Sequence, residues 1–297
     1  MQKRCICWMN IFKDVLLFLS DLILKIPLLE MPNSHPRSVN HTKIKNKMQT
    51  KPVYYSQFRE DEILFEIFNR KSNGLCIEVG ANDGINDSTT MYFEKIGWKC
   101  ILLEPNPALC KLIRIQRNST LVEFAASDKS GEVTLFVAEG AERAHGVSTI
   151  NSNKEALNKI KSYGFTYKEV KVQSKPLDEI LNGLKLDREI DFISLDVEGH
   201  ELEVLKGFSI AQWKPTILLI EDNSNYESPL VSDYLRRFGY LRFRRTGVND
   251  WYAHKTNQKL VNFYSKSNYH WAELKVRVKT RIKKIPGLLK LKNILVK

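Results

Sequence analysis

The sequence has no uncharged apolar run long enough to cross a membrane. Near the N-terminus, Lys13, Asp14, Asp21 and Lys25 interrupt the apolar residues, whereas a membrane-spanning helix needs roughly 18 uninterrupted ones. No small-residue cleavage site is evident, so secretion is disfavoured. The charged residues recur at helical spacing, so residues 1–30 are predicted to form an amphipathic helix. It either lies on a membrane surface or partner, or packs on the folded domain.

Cysteine is scarce, and its five residues form no Cys-x-x-Cys pair. Cys76 and Cys100 lie inside apolar runs that are typical of buried strands, where small thiols are common. A reduced, cytoplasmic setting is therefore expected.

The middle of the chain lacks the positive charge of a nucleic-acid-binding core. Residues 1–50 carry a net +5 and residues 275–297 a net +9, which leaves about −2 of the total +12 for the middle. The basic tail has no aromatic residue from position 275 onward, which favours an anionic membrane over RNA stacking. A flexible, solvated tail is the alternative.

The chain shows no internal repeat, and its composition suggests four segments. After the N-terminal helix, residues 31–52 are predicted to form a polar linker, residues 53–258 the folded domain and residues 259–297 the basic tail. Predicted strands alternate with helices in the domain, which indicates an α/β fold. We expect a mostly parallel twisted sheet with helices on both faces and an antiparallel edge strand. Residues 120–127 are predicted to be one strand, with residues 131–139 as its hairpin partner.

A glycine-containing turn follows the first predicted strand, in the segment IEVGANDGINDS (77–88). A dinucleotide-binding turn needs Gly-x-Gly-x-x-Gly, because its second glycine lets a pyrophosphate approach the backbone. Here Asn82 occupies that position, and the spacing is Gly80-x-x-x-Gly84. A pyrophosphate-bearing cofactor is therefore disfavoured. A plain strand-to-helix turn is the alternative.

Acidic and polar residues end the first three predicted strands in order. Glu78 precedes the glycines, Glu104 closes the second strand, and Ser127 and Asp128 close the third. S-adenosylmethionine presents an ammonium, a ribose diol and an adenine, and a carboxylate can accept hydrogen bonds from vicinal hydroxyls. Ligands in open α/β sheets bind beyond the carboxyl ends of the strands. The ordered set therefore predicts a site for this cofactor, although each residue alone is equally typical of a solvated strand end.

The segment DVEGHE (196–201) follows a buried strand and concentrates four ionisable side chains. Methyl transfer to a hydroxyl requires that its proton be removed or polarised, and Asp196, Glu198 and His200 are the candidate catalytic residues. The alternative for His200 is a local capping or packing role. The alternative for Glu198 and Glu201 is a favourable charge interaction with the positive end of the next helix.

A divalent metal is the second way to polarise a hydroxyl. Asp196, Asp222 and Asn223 follow two adjacent predicted strands and offer oxygen ligands suited to a hard cation. Because neighbouring strands lie about 4.8 Å apart, these residues can face one pocket. They are the candidate metal ligands.

Several segments together resemble the FkbM family of S-adenosylmethionine-dependent methyltransferases. The resemblance covers roughly residues 54–245, and the DxEGxE pattern followed by VLKG is fairly specific to it. It implies a class I methyltransferase fold and O-methylation of hydroxyls on sugars, polyketides or lipid-linked groups. The segments are SQFREDEILFEIF, IEVGANDGINDS, LLEPNP, AASDKSGEVTLF, PLDEIL, DFISLDVEGHELEVLKGF and ILLIEDN.

Matched position by position, the resemblance implies roles for individual residues. Asp196 matches the acid at the end of the fourth strand. Gln57 and Asp61 match an N-terminal motif, for which contact with the methionine end of the cofactor is a guess. Glu104 matches the ribose-binding acid and Asp128 the adenine-side position. The residues that match the cofactor turn are Glu78, Gly80, Asn82 and Gly84.

Two departures from the family pattern bear on the chemistry. Glu78 stands where the turn commonly has Asp, which keeps the charge. Ser194 and His200 replace residues that are often Lys and Ala, which leaves the proton chemistry open. The polar stretch at 140–170 is predicted to be either a lid, with His145 and Ser148 contacting the acceptor, or an ordinary surface insertion.

The predicted function is an S-adenosylmethionine-dependent O-methyltransferase acting on a hydroxyl of a saccharide, glycolipid or related metabolite. The alternatives are a non-catalytic relative that acts as a membrane or interaction adaptor, and a nicotinamide oxidoreductase. A nucleic-acid methyltransferase is disfavoured because the core is nearly neutral and the NPPY motif is absent. We expect a small-molecule or glycan acceptor, no nucleic acid, and peripheral membrane association through the termini.

Overall fold

The computed structural model describes residues 52–186, 188–224, 226–263, 265, 267 and 273. The predicted N-terminal helix, nearly all of the predicted linker and most of the predicted basic tail lie outside these residues, so membrane association through them stays a prediction. The domain bounds 53–258 also stay a prediction. Within the described ranges, no helix is long and apolar enough to cross a bilayer.

Strands make up most of the core. In chain order they are β1 (Leu75–Val79), β2 (Lys99–Leu103), β3 (Thr120–Val122), β4 (Ala125–Ala126), β5 (Gly131–Glu139), β6 (Thr166–Lys175), β7 (Phe192–Leu195), β8 (Ile217–Glu221), β9 (Tyr240–Thr246) and β10 (Asn249–His254).

Helices occupy most of the connections between the strands. They are α1 (Glu60–Ile67), α2 (Met91–Lys95), α3 (Pro107–Gln116), α4 (Lys154–Ser162), α5 (Leu177–Leu184), α6 (Glu201–Lys206), α7 (Ile210–Trp213) and α8 (Leu230–Arg237), with a 3₁₀ turn at Ala144–Val147. Asn106 begins α3 by accepting a hydrogen bond from the Ala108 N–H, and Pro107 takes the first helical position.

A seven-stranded sheet has the spatial order β3-β2-β1-β7-β8-β10-β9. The pairs among β3, β2, β1, β7 and β8 are parallel, whereas β10 runs antiparallel to both of its neighbours. The predicted α/β fold with an antiparallel edge is therefore confirmed. Its parallel strands bring their carboxyl ends to one edge, where Val79, Leu103, Leu195 and Glu221 end β1, β2, β7 and β8.

Both faces of the central sheet are covered by apolar side chains. On β1, Leu75, Ile77 and Val79 join one core cluster, and Cys76 between them joins the cluster on the other face. This alternation is the two-residue period of a strand buried on both sides. Glu78 has the same parity as Cys76 and is the single charged residue of β1, one position before the strand ends.

The predicted hairpin of residues 131–139 is wrong. β5 pairs antiparallel with β6 from Gly131–Ser174 to Glu139–Thr166, and β4 pairs parallel with β6. These strands form a separate three-stranded sheet in the order β4-β6-β5. The predicted strand at 120–127 is accordingly split into β3 and β4. A short polar turn between two apolar runs suggested local pairing, but the connection at 140–165 brings β6 between them.

Candidate functional site

A cavity opens at the carboxyl edge of the central sheet, and its charge is strongly one-sided. Among the described residues that line it are no Lys or Arg, and His145 is the single histidine. A diphosphate would meet repulsion here, whereas a positively charged ligand would be attracted. The lining contains six carboxylates: Glu60, Glu78, Asp87, Glu104, Asp196 and Glu198.

The turn after β1 brings the backbone to the edge of this cavity. Gly80 has φ +86°, and a Cβ built on it would lie 1.8 Å from the Asp196 carbonyl oxygen, so the approach of this turn to the end of β7 requires glycine. Gly84 has φ +82° and packs against Ile113 and Arg117. Asn82, at φ +53°, lines the cavity.

Glu104 links the turn to the end of β2. One of its oxygens accepts a hydrogen bond from the Asn82 N–H at 2.9 Å, and the other accepts from the Asn106 N–H at 2.8 Å. Burial raises the pKa of Glu104 to about 7, although these two N–H groups act in the opposite direction. Each carboxylate oxygen keeps a lone pair for a further donor. Glu104 can therefore accept hydrogen bonds from a vicinal diol.

Glu78 holds the loop that follows the turn. Its carboxylate accepts hydrogen bonds from Ser88 Oγ at 2.8 Å, from the Thr89 N–H at 2.7 Å and from Thr90 Oγ1. The side chain is 6% exposed and lines the cavity. Its main observed role is thus to fix the loop around the site, and a direct contact with a ligand stays a prediction.

Arg117 completes this loop and was not singled out from the sequence. Its guanidinium is fully buried, pairs with Glu94 at 2.9 Å, and donates to the Gly84 carbonyl and to Ser88 and Thr90. Arg117 therefore connects the glycine turn, through Gly84, to the loop that follows it, through Ser88 and Thr90. No local pattern distinguishes it from Arg114 in the sequence, because its partners come from more than 20 residues away.

The N-terminal motif divides between the cavity and the scaffold. Gln57 lines the cavity, and its contact with the cofactor stays a prediction. Asp61 does not line it, because its fully buried carboxylate accepts hydrogen bonds from the backbone of Tyr55 and Ser56. The guess that Asp61 contacts the cofactor is therefore wrong. Glu60, which was not predicted, lines the cavity and accepts from Asn249 at 2.9 Å.

Ser127 and Asp128 lie beyond the cavity lining rather than in it. The apolar side chains of Phe124, Ala125 and Ala126, together with those of Leu109 and Leu135, line the cavity instead. The position of Ser127 and Asp128, just after β4 ends at Ala126, therefore does not support the predicted contact of these two residues with adenine.

His200 contacts Ser127. Its Nε2 lies 3.0 Å from Ser127 Oγ, and it is not among the residues that line the cavity. Burial lowers its pKa, so the ring is neutral at pH 7. His200 therefore holds the start of α6 against the end of β4, and the prediction that it is a general base needs correction.

Asp196 and Glu198 do face the cavity, and the structure adds Glu221 to them. Oxygen atoms of these three carboxylates lie within 4.8 Å of one another. The Lys159 ammonium, from α4, lies 2.5 Å from Glu198 Oε2. The cluster therefore combines three acids from the ends of two adjacent strands with one cation from the 140–170 insertion.

The predicted metal ligands are corrected by this arrangement. Asp222 pairs with Arg245 at 3.0 Å and accepts from the Ser224 N–H, so its carboxylate is already engaged away from Asp196. Asn223 lies against the Glu221 carboxyl. The set able to surround a cation is thus Asp196, Glu198 and Glu221.

The pKa values of the cluster are raised. Burial, then the neighbouring charge of Glu221, raises the pKa of Glu198 to about 7, and Lys159 acts in the opposite direction. Burial and the charges of Glu221 and Glu198 hold the pKa of Asp196 well above its usual range. Asp196 is exposed to water in the open cavity, so repulsion from the neighbouring carboxylates raises its pKa more than burial does. The pKa values of all three acids are thus raised, and their charges interact, so the three acids titrate together.

The 140–170 insertion contacts the glycine turn and the loop after it, and a lid function stays a prediction. His145 Nδ1 lies 2.5 Å from Asn82 Oδ1, and Arg143 pairs with Asp87 at 2.5 Å. His145 and Ser148 both line the same cavity as Glu104. They lie over the predicted cofactor site, and a contact with the acceptor stays a prediction.

Comparison with known proteins decides the family. The model of the methyltransferase FkbM domain matches residues 78–242, more than half of the chain. This chain belongs to the FkbM methyltransferase family. It is therefore a methyltransferase, and membership of the family implies that it uses S-adenosylmethionine. The alternative of a nicotinamide oxidoreductase is wrong.

Similarity of the FkbM chain to other proteins is distant. No curated protein matches its sequence. The structure of precorrin-6y C5,15-methyltransferase from Geobacter metallireducens GS-15 is similar at 10% identity, over 68% of this chain and 92% of that chain, with a TM-score of 0.35. A protein from Haemophilus influenzae described as a methylase has 12% identity over 66% of this chain and 98% of that chain, with a TM-score of 0.32.

The cavity of this FkbM methyltransferase fits the chemistry of S-adenosylmethionine. Glu104 offers a carboxylate to the ribose hydroxyls, and the six carboxylates suit the positive sulfur and ammonium. Leu109, Phe124 and Leu135 supply apolar surface for the adenine.

Proposed function

We propose that this FkbM methyltransferase methylates a hydroxyl group of a saccharide, glycolipid or related metabolite. The observation that carries the proposal is the Asp196, Glu198 and Glu221 cluster at the edge of the cofactor cavity. A hydroxyl is a poor nucleophile until its proton is removed. Carboxylates with raised pKa values are suited to that task, and the pKa of Glu198 is raised to about 7.

The chemistry requires one proton acceptor from the protein. S-adenosylmethionine, held by Glu104 and the glycine turn, would supply a methyl group on a positive sulfur for transfer to the acceptor oxygen, with S-adenosylhomocysteine as the leaving group. The hydroxyl proton passes to the carboxylate cluster. Because the three carboxylates titrate together, the cluster as a whole takes up the proton. Lys159 keeps Glu198 more ionised than burial alone would allow.

The test is transfer of a labelled methyl group by the purified full-length protein into saccharide and glycolipid extracts of the source organism. We expect a labelled methyl ether that survives alkali, which separates it from a methyl ester. Asp196→Asn should lower kcat by about 10²-fold or more while leaving cofactor binding in place. Asp233→Asn, on the exposed face of α8, is the matched control and should retain full activity.

A non-catalytic adaptor is the competing function. It predicts no binding of S-adenosylmethionine in calorimetry and no methyl transfer into any extract. Binding of the cofactor followed by transfer to a nitrogen or a carboxyl group would instead retain the methyltransferase and reject the hydroxyl acceptor.

A further inference from the structure

A second cavity lies beside the cofactor cavity and shares Glu198 with it. It has a volume of about 490 Å³, within the range of about 300–1,000 Å³ that is usual for small-molecule sites. Its walls come from α4, the turn before α6, the end of β8 and the start of α8. Glu221 also lines it, so the carboxylate cluster stands between the two cavities.

The charge of this second cavity is again one-sided. Its described lining carries six carboxylates and two cations. Both cations are already engaged, since Lys159 bonds Glu198 and Arg242 lies 3.2 Å from Asp250. The carboxylates are Glu155, Glu198, Glu201, Glu203, Glu221 and Asp222.

Some of these carboxylates serve the scaffold and others face the cavity without such a role. Glu201 accepts from the Gly199 N–H at 2.9 Å, and Asp222 pairs with Arg245. Glu155, in the first turn of α4, is exposed. Amide groups of Asn151 and Asn223 add neutral hydrogen-bonding groups to the lining.

We propose that this second cavity is the acceptor site and that it selects neutral or amine-bearing polyhydroxy acceptors against anionic ones. Hydroxyl groups can donate to its carboxylates, and an ammonium group gains from the excess negative charge. A carboxylate or phosphate on the acceptor would be repelled, and the two cations are occupied by acidic partners. This inference rests on the proposed function, because it names the acceptor class of the same reaction.

Binding can be measured without any methyl transfer. Saturation-transfer NMR with the full-length protein would compare methyl glycosides of glucose and galactose in neutral, 2-amino and uronic acid forms. We expect the neutral and amino forms to bind at millimolar concentrations. The uronic acids should bind more weakly by a factor of about ten or greater. Equal or tighter binding of the uronic acids, or no binding by any form, would overturn the proposal.

One charge reversal tests whether the cavity itself selects. Glu155→Lys should narrow the gap between neutral and uronic forms several-fold, because it places a cation in the lining. Glu169→Lys makes the same change at an exposed position on β6 that is not in the lining and should leave the gap unchanged. If the two variants behave alike, the selection does not come from this cavity.

The transfer assay separates failure of this inference from failure of the proposed function. Extract glycans would be divided by anion exchange at neutral pH before incubation with labelled S-adenosylmethionine. Label in the unretained fraction supports both statements. Label confined to the anionic fraction, as an alkali-stable ether, overturns the acceptor class and retains O-methylation. No label in either fraction counts against both.

Discussion

The Lys159 ammonium lies 2.5 Å from Glu198 Oε2, so helix α4 reaches the acidic turn after β7. Burial lowers the pKa of Lys159, but the attraction and hydrogen bond of Glu198 outweigh it and raise the pKa overall. This pair fixes how much negative charge the Asp196, Glu198 and Glu221 cluster carries at neutral pH.

Removing the Lys159 charge should move the pH dependence of catalysis. In Lys159→Met, the pKa of Glu198 rises above its value of about 7 because the favourable cation is lost. The acidic limb of kcat should therefore move to higher pH by roughly one unit, with about a fivefold loss near pH 7. Lys159→Arg should keep the limb in place. Lys154→Met, at the exposed start of α4, is the control. An unmoved limb in Lys159→Met would contradict this role.

Glu104 should make cofactor binding depend on pH. Its pKa is raised to about 7, mainly by burial, and ribose hydroxyls donate to its ionised form. The dissociation constant for S-adenosylmethionine should therefore fall as the pH rises through about 7 and level off above it. Glu104→Gln should weaken binding by about tenfold or more and flatten this dependence. Calorimetry between about pH 6 and pH 8 measures both, and an unchanged pH dependence in Glu104→Gln would assign it to another group.

The buried arginine beside the glycine turn should be a large contributor to stability. Arg117→Met leaves Glu94 without its buried partner and releases the Gly84 carbonyl, so we expect the free energy of unfolding to fall by about 3–5 kcal/mol. Arg114→Met, three residues earlier, breaks an exposed pair with Glu123 and should cost less than about 1 kcal/mol. Urea unfolding compares the two variants. Equal losses of unfolding free energy would contradict a special stabilising role for Arg117.

Replacing each of two glycines by alanine should change the free energy of unfolding in opposite directions. Gly80→Ala places a Cβ against the Asp196 carbonyl at a positive φ, so the free energy of unfolding should fall by about 2–4 kcal/mol. Gly183, inside α5, has no atom within 4 Å of a built Cβ, and Gly183→Ala should raise stability by about 0.5–1 kcal/mol. Thermal and urea unfolding provide the measurement. A stable Gly80→Ala variant would show that the turn can move away from β7.

Chelation should leave methyl transfer unchanged. The three carboxylates could surround a cation, but Lys159 already provides positive charge at Glu198. Turnover in excess EDTA should therefore equal turnover without it. Loss of activity that added Mg²⁺ restores would instead identify Asp196, Glu198 and Glu221 as metal ligands.

Much of the fold could be predicted because it depends on local patterns. The apolar run of β1 and the glycine turn after it are contiguous in sequence, and so is the acid at the end of β2. Parallel strands separated by helices then place these carboxyl ends together. The pairing of β5 was mispredicted because its partner, β6, lies beyond the 140–165 connection, and no local period encodes a long-range pairing.

Side-chain direction caused the errors at the site. His200 and Asp222 each lie within two residues of a member of the carboxylate cluster, yet they contact Ser127 and Arg245 respectively. A spacing of one or two residues in a turn does not specify which way a side chain points. Lys159 and Arg117 were missed for a related reason, since their partners are 39 and 23 residues away.

The amino-acid order alone determines the alternation of strands and helices, the glycines where the backbone must turn, and the acids that end the strands. These properties follow from backbone geometry and from periods of two and 3.6 residues. Only the tertiary structure decides that Lys159 meets Glu198, that Glu221 joins Asp196, and that two acidic cavities share one wall. Such contacts depend on how distant segments pack, and the electrostatic energy of a charge depends on the neighbours that packing provides.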